Sequence, residues 1–146
     1  SDYWASKPTS YRLPTMNKHW VFYDQYGWVT KSMNCPEEMA QENVKEGETL
    51  LETEQQVNPQ NVYVKDATAV QREPFPDVTV SENPTVNSTI TVSNVPENTE
   101  VIWHDGVRTR ETGSFTFETD VAGSFTLFLT APAYYPNHNK VDIDVT

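Results

Sequence analysis

Between residues 76 and 146 apolar and polar positions alternate in short runs, with the period of two that belongs to strands. Val78 and Val80 share one face of the first run, Ile90 and Val92 of the second, Val101 and Trp103 of the third. Phe115 and Phe117 follow, then Phe125, Leu127 and Leu129, and last Val141, Ile143 and Val145. These are the expected core. The opposite faces carry mostly Thr, Ser, Asp and Glu, which suits antiparallel sheets with one wet side. Phe128 breaks the pattern on the most hydrophobic run and is a candidate contact with a neighbouring chain. Asp105-Gly106 supplies a tight turn, Gly113 and Gly123 each precede a strand, and Pro84, Pro96, Pro132 and Pro136 fall between the runs. The pattern predicts an immunoglobulin-like antiparallel β-sandwich over 76–146. That is short of the usual ~100 residues, so support from another domain or chain is expected.

Residues 19–75 read as a small β-rich module with one short helix. His19 to Tyr23 and Trp28 to Met33 are β-rich runs joined by a turn at Asp24-Gln25-Tyr26-Gly27, giving a hairpin with aromatic cross-strand pairs. Pro36-Glu37-Glu38 opens a helix that carries Met39, Ala40 and Val44 and ends near Gly47. Glu48 to Glu54, Asn61 to Lys65 and Ala69 to Arg72 are three further strands, the last two joined at Asp66-Ala67-Thr68. Glu73-Pro74-Phe75-Pro76 is a stiff linker that predicts a set orientation between the two modules.

Residues 1–18 show neither period. Tyr3, Trp4, Tyr11, Leu13 and Met16 are interleaved with Pro8 and Pro14, too apolar for a merely flexible tail. The stretch is expected to be an extended N-terminal arm that docks on its own body or on a partner, with those five residues as the partner-binding set. A start at Ser1-Asp2 fits removal of an initiator Met.

Ten basic against 21 acidic residues give a net charge of −11 over 146 residues. Phosphate neutralisation needs clustered Lys and Arg, so nucleic acid is not an expected partner. The acid is dispersed, which suits a soluble, self-repelling surface. The single cysteine, Cys35, excludes an intrachain disulfide. Pro36-Glu37-Glu38 beside it offers no basic partner for a nucleophile, so it reads as structural. Without a signal peptide or an apolar run of membrane-spanning length, the chain is expected to be made in a cytosol, with no membrane insertion.

No residue set points to catalysis. His19, His104 and His138 lack His-x₃-His or Cys-x₂-Cys spacing, and Asp142 and Asp144, with Asp77 or Asp120, do not share the one loop an oxygen-ligand site uses. No Gly-x-Ser-x-Gly is present, and no carboxylate pair is marked out for glycoside hydrolysis. The chain is therefore expected to be no enzyme and to hold no cofactor or metal. Small β-sandwiches often stack sugars on exposed aromatics, which makes Trp103, His104, Tyr134 and Tyr135, with His138, candidate glycan-binding residues. A loop of that composition equally serves to close the end of a sandwich.

One resemblance adds to this reading. Tyr23-Asp24-Gln25-Tyr26-Gly27, Cys35-Pro36, Gly47-Glu48, Val62-Tyr63-Val64-Lys65-Asp66 and Pro74-Phe75-Pro76 follow one another in a layout that resembles small structural proteins of tailed bacteriophages. In those proteins a compact β-rich module precedes an immunoglobulin-like module with segments similar to Ala122-Gly123-Ser124-Phe125-Thr126-Leu127 and Ala131-Pro132-Ala133-Tyr134-Tyr135. The likeness runs loosely over residues 20–146. It implies a virion component, made in the host cytoplasm, in a tail fibre or its attachment region. Its partners would be other virion proteins, with a homo-oligomer such as a trimer and a host-surface glycan as further candidates. A capsid decoration protein and a carbohydrate-binding module are the alternatives.

Overall fold

Trp20, Val21 and Phe22 are buried in succession in strand β1 (Lys18–Tyr23), which makes it the central strand of the first sheet. The computed structural model describes residues 16–136 and 139–146. Strand β2 (Val29–Cys35) and strand β3 (Thr49–Thr53) flank β1 in antiparallel pairing, in the order β2-β1-β3. Between them lies helix α1 (Glu37–Glu42), whose buried Ala40 packs with Trp20, Phe22 and Cys35. The Trp20 Nε1–H donates to the Cys35 carbonyl at 2.9 Å, so Cys35 has a structural place under the helix. The helix is shorter than the expected run to Gly47, ending at Asn43 with φ −98°. Its last turn carries no basic residue to complement the dipole.

The turn from β1 to β2 is built by Asp24, whose carboxylate accepts the N–H groups of Tyr26 (2.9 Å) and Trp28 (3.0 Å). Strand β4 (Val62–Lys65) and strand β5 (Thr68–Gln71) form a separate hairpin. Its turn residues Asp66 and Ala67 both have positive φ, at 51° and 55°, as a type I′ turn requires. The hairpin docks on the first sheet where the Val64 N–H donates to the Gly27 carbonyl at 2.9 Å.

The C-terminal part contains strand β6 (Thr79–Val80), β7 (Ile90–Ile102), β8 (Arg108–Phe117), β9 (Gly123–Thr130) and β10 (Lys140–Val145). The two runs at Ile90–Val92 and Val101–Trp103, expected to be separate strands, belong largely to one strand of 13 residues, β7. β8 pairs with it along one edge, while the other edge takes β6 at Val92 and Ser93 and β9 at Glu100 to Ile102. Pro96 sits where the register with β8 shifts between Val95 and Thr99, and positive φ at Asn94 (61°), Asn98 (58°) and Gly113 (82°) bends the hairpin there. The bend is large. Ile90 pairs with Phe117, and a straight strand would put Trp103 some ~40 Å from that pair. The Trp103 and Phe117 rings instead lie 5.4 Å apart. The outcome is one curled five-stranded antiparallel sheet, a half-barrel, where two sheets were expected.

The core matches the alternation. Ile90, Val92, Val101, Phe115, Leu127, Leu129, Ile143 and Val145 are buried together, with Val78, Val80, Trp103, Phe117, Phe125 and Val141 packed around them. Val95, Phe75 and Val86 join them without having been marked by the pattern.

Glu48, just before β3, gathers the Thr30 hydroxyl, the Lys45 N–H at 2.9 Å and the Lys31 Nζ at 3.1 Å. These contacts, the Thr30 hydrogen bond first, hold its carboxyl at about 2. A depressed carboxyl stabilises the fold fully above its unfolded value near ~4.3, and that contribution is lost as pH falls towards 2. Partial exposure screens the effect, so Glu48→Gln is expected to cost about 1 kcal/mol at pH 7 and almost nothing at pH 2. Urea midpoints of both proteins at the two pH values test this, and an equal gap at both would reject it.

Candidate functional site

The expected site residues fall in three places. Tyr3, Trp4, Tyr11 and Leu13 lie outside the described residues, as does His138, while Met16 is 80% exposed just ahead of β1. Tyr134 and Tyr135 sit at the junction of the two units. Trp103 and His104 sit at the open end of the curled sheet.

The junction is built on the linker. The Glu73 N–H donates to the Ala133 carbonyl at 3.0 Å, and the Tyr135 N–H donates to the Glu73 carbonyl at 2.9 Å. Tyr134 lies edge-on to Phe75 with ring centroids 5.6 Å apart, and Gln71 Nε2 donates to the Tyr135 hydroxyl. Arg110 spans the gap, with its guanidinium 3.7 Å from the Tyr26 ring centroid and its Nη1 on the Asn98 carbonyl at 3.1 Å. Both tyrosines thus join linker to loop.

Arg72, which the strand pattern treats as an ordinary terminal residue, is only 6% exposed at this junction. Its guanidinium lies 4.7 Å from the Trp28 ring centroid, and its Nη1 donates to the Gln60 carbonyl at 3.3 Å. Its buried Nε has no hydrogen-bond partner among the described residues. Burial pushes the guanidinium below its ordinary value, with Tyr135 acting in the opposite direction. Nothing in the sequence marks Arg72, because burial of a charge beside a Pro-containing linker depends on Trp28, forty-four positions earlier.

At the other end, Trp103 packs edge-on to Phe115 (5.3 Å) and Phe117 (5.4 Å), and its Nε1–H donates to the Thr109 hydroxyl at 2.7 Å. His104 is exposed and edge-on to Phe125 at 5.2 Å. These residues line an open hollow of about 540 Å³ with Val107, Leu127 and, at its polar side, Asp105 and Glu118. The hollow lies at the Trp103–Val107 turn, where Gly106 takes φ 87° and its N–H donates to the Trp103 carbonyl at 2.8 Å. The glycan candidates therefore divide between this hollow and the junction. Chemically the hollow offers aromatic and aliphatic surface with acidic groups beside it, a receptor for an apolar or aromatic group carrying positive charge.

Among the described residues no group of three or more His, Cys, Asp or Glu side chains could hold a metal ion. Asp142 and Asp144 face β9 instead, accepting hydrogen bonds from Thr126 and Ser124 in a cross-strand ladder. No described helix is long and apolar enough to cross a membrane. The chain matches no protein-family description, no curated protein and no solved structure.

Proposed function

We propose that this protein is a non-enzymatic structural component of a tailed-bacteriophage virion, a tail-fibre or fibre-attachment adaptor that docks through its N-terminal arm. The observation that carries the reading is the work done by the residues of the phage-like layout. Asp24 and Gly27 shape the turn that receives β4, and Cys35 and Pro36 seat the helix on Trp20. Glu48 ties β2 to the chain ahead of β3, Asp66 opens the β4–β5 turn, and Phe75 carries the junction. A layout in which Asp24, Gly27, Cys35, Glu48, Asp66 and Phe75 all serve as scaffold positions suits a part of an assembly.

The exit of the arm supports the docking role. Tyr23 to Gly27, at one end of the first sheet, line the cleft against Glu97, Asn98 and Pro132 to Tyr134. The chain enters β1 at the other end, at Lys18, so the arm precedes the end of β1 away from the junction cleft. The immunoglobulin-like assignment of residues 76–146 belongs to the same proposal, with the two halves of the bent β7 as the two layers.

Deletion of residues 1–15 leaves β1 whole. The shortened chain is expected to keep its circular dichroism and melting temperature and to be missing from purified particles. Normal incorporation would remove the arm from the mechanism. Gold labelling of the full chain on the tail is the expected location, and labelling of the capsid shell would favour a decoration protein.

A further inference from the structure

We propose that the aromatic hollow of the curled sheet is a binding site for a small quaternary ammonium group of the choline type.

The shape of the hollow suits a rounded apolar guest. The bend of β7 brings Trp103 to within 5.4 Å of Phe117, and Phe125 of β9 lines the same hollow. All three pack against the buried core, yet each is only half-buried, so part of each side chain stays open. The rings do not form a flat platform. Trp103 meets Phe117 at 77° and Phe125 meets His104 at 71°. Side chains set at near right angles make a corner that touches a compact guest from several sides, whereas a sugar ring stacks best on one flat face. Leu127 and Val107, the latter 54% exposed, add aliphatic surface for methyl groups. A volume of about 540 Å³ admits a trimethylammonium head with room for the chain that carries it.

The electrostatics call for a cation. Asp105 and Glu118 line the hollow, and no Lys or Arg of the described residues does. Neither carboxylate pairs with a Lys or Arg among the described residues. One oxygen anchors each of them: Asp105 accepts the Val107 N–H at 3.1 Å, and Glu118 accepts the Thr89 hydroxyl at 3.3 Å. The negative charge is therefore held beside aromatic surface with no internal cation to offset it. Ring quadrupoles and carboxylates attract the same guest. The substituents on nitrogen decide which cation fits. A primary ammonium or a guanidinium brings N–H donors that ring and aliphatic walls leave unpaired, at the cost of its desolvation. A quaternary ammonium has none. The indole N–H of Trp103 is already given to the Thr109 hydroxyl at 2.7 Å, so the ring is fixed before any guest arrives.

Titration of the full chain with choline, followed by the indole N–H resonances, tests this. Trp103→Phe identifies the Trp103 resonance by its loss. That resonance is expected to move with a Kd on the order of 1 mM, while those of Trp20 and Trp28 stay in place. The neutral alcohol in which carbon replaces the choline nitrogen has the same shape and should bind about tenfold more weakly. The pair Asp105→Asn/Glu118→Gln keeps both anchoring acceptors and removes both charges, and should weaken choline about fivefold without changing the melting temperature. Phe125→Leu keeps an apolar wall but removes a ring, with a loss of similar size expected. No movement of the Trp103 resonance at about 50 mM choline would overturn the inference. So would equal binding of the neutral alcohol, which would make the hollow a simple apolar site, or unchanged binding in the charge-neutral pair. A glucose titration that moved the Trp103 resonance at lower concentration than choline would overturn it in favour of a sugar site.

Discussion

Gly27→Ala is expected to lower the stability of the N-terminal unit by about 3 kcal/mol or more, enough to unfold much of it at 37 °C. A β-carbon at Gly27 would lie 2.3 Å from the Val64 carbonyl oxygen and 3.4 Å from the Val64 carbonyl carbon. The obstacle is backbone, so no side-chain rotation relieves it. Gly27 also has φ +94°, a conformation that side chains disfavour by themselves. Relief means moving β4, which breaks the bond from the Val64 N–H to the Gly27 carbonyl and shifts the hairpin that ends in Arg72. The control is Gly47→Ala, where φ is +83° but nothing lies within 4 Å of the added carbon. That change carries only the conformational strain, about 1 kcal/mol. Urea unfolding followed by tryptophan fluorescence reads both. Equal losses would mean that the close approach of β4 contributes nothing beyond φ.

Gly27 also shows where sequence reading stops. Asp24-Gln25-Tyr26-Gly27 is recognisable as a turn, since Asp and Gly are the residues such turns use. That the turn's glycine faces Val64 is a long-range fact, because β4 is placed by packing and not by local pattern. The same division runs through the chain. The alternation from Val78 to Val145 identifies the core of the curled sheet, because period-two burial is a local property of each strand. It does not say how strands are joined. Pro96 reads locally as a break between two strands, yet the bulged stretch around it accommodates the missing N–H while β7 continues. Phe75, a linker residue by its Pro-flanked sequence, joins the core because the linker is stitched to Ala133 and Tyr135 through Glu73. Of the candidate site residues, Trp103 and His104 share a place because they are adjacent in sequence and close a tight turn. Tyr134 and Tyr135 are drawn elsewhere by Glu73 and Phe75, which no pattern in their own loop reveals.

Leu129→Ala is expected to destabilise the C-terminal sheet by about 3–4 kcal/mol, and Phe128→Ala, its neighbour on β9, by less than about 1 kcal/mol. Leu129 is fully buried opposite Val101 of β7, and its N–H donates to the Asn139 carbonyl at 3.0 Å. Truncation there leaves a cavity between β7, β9 and β10 that the hydrogen-bonded backbone cannot close. Phe128 is 49% exposed and pairs with Lys140 on one side and Ile102 on the other, so its ring shields rather than fills. The pair of substitutions reads the register of β9 directly, because a slip of one residue exchanges the two faces and would reverse the order of the losses. The register also determines the hollow. Leu127 and Phe125 lie on the same face as Leu129, two and four positions back, and it is this face that brings Phe125 to His104 and Leu127 to the hollow's wall. If Phe128→Ala proved the costlier change in urea melts, Phe125 and Leu127 would face outward, and no aromatic receptor would exist at the Trp103 turn. The order of losses therefore tests both the curled sheet and the aromatic hollow at the Trp103 turn.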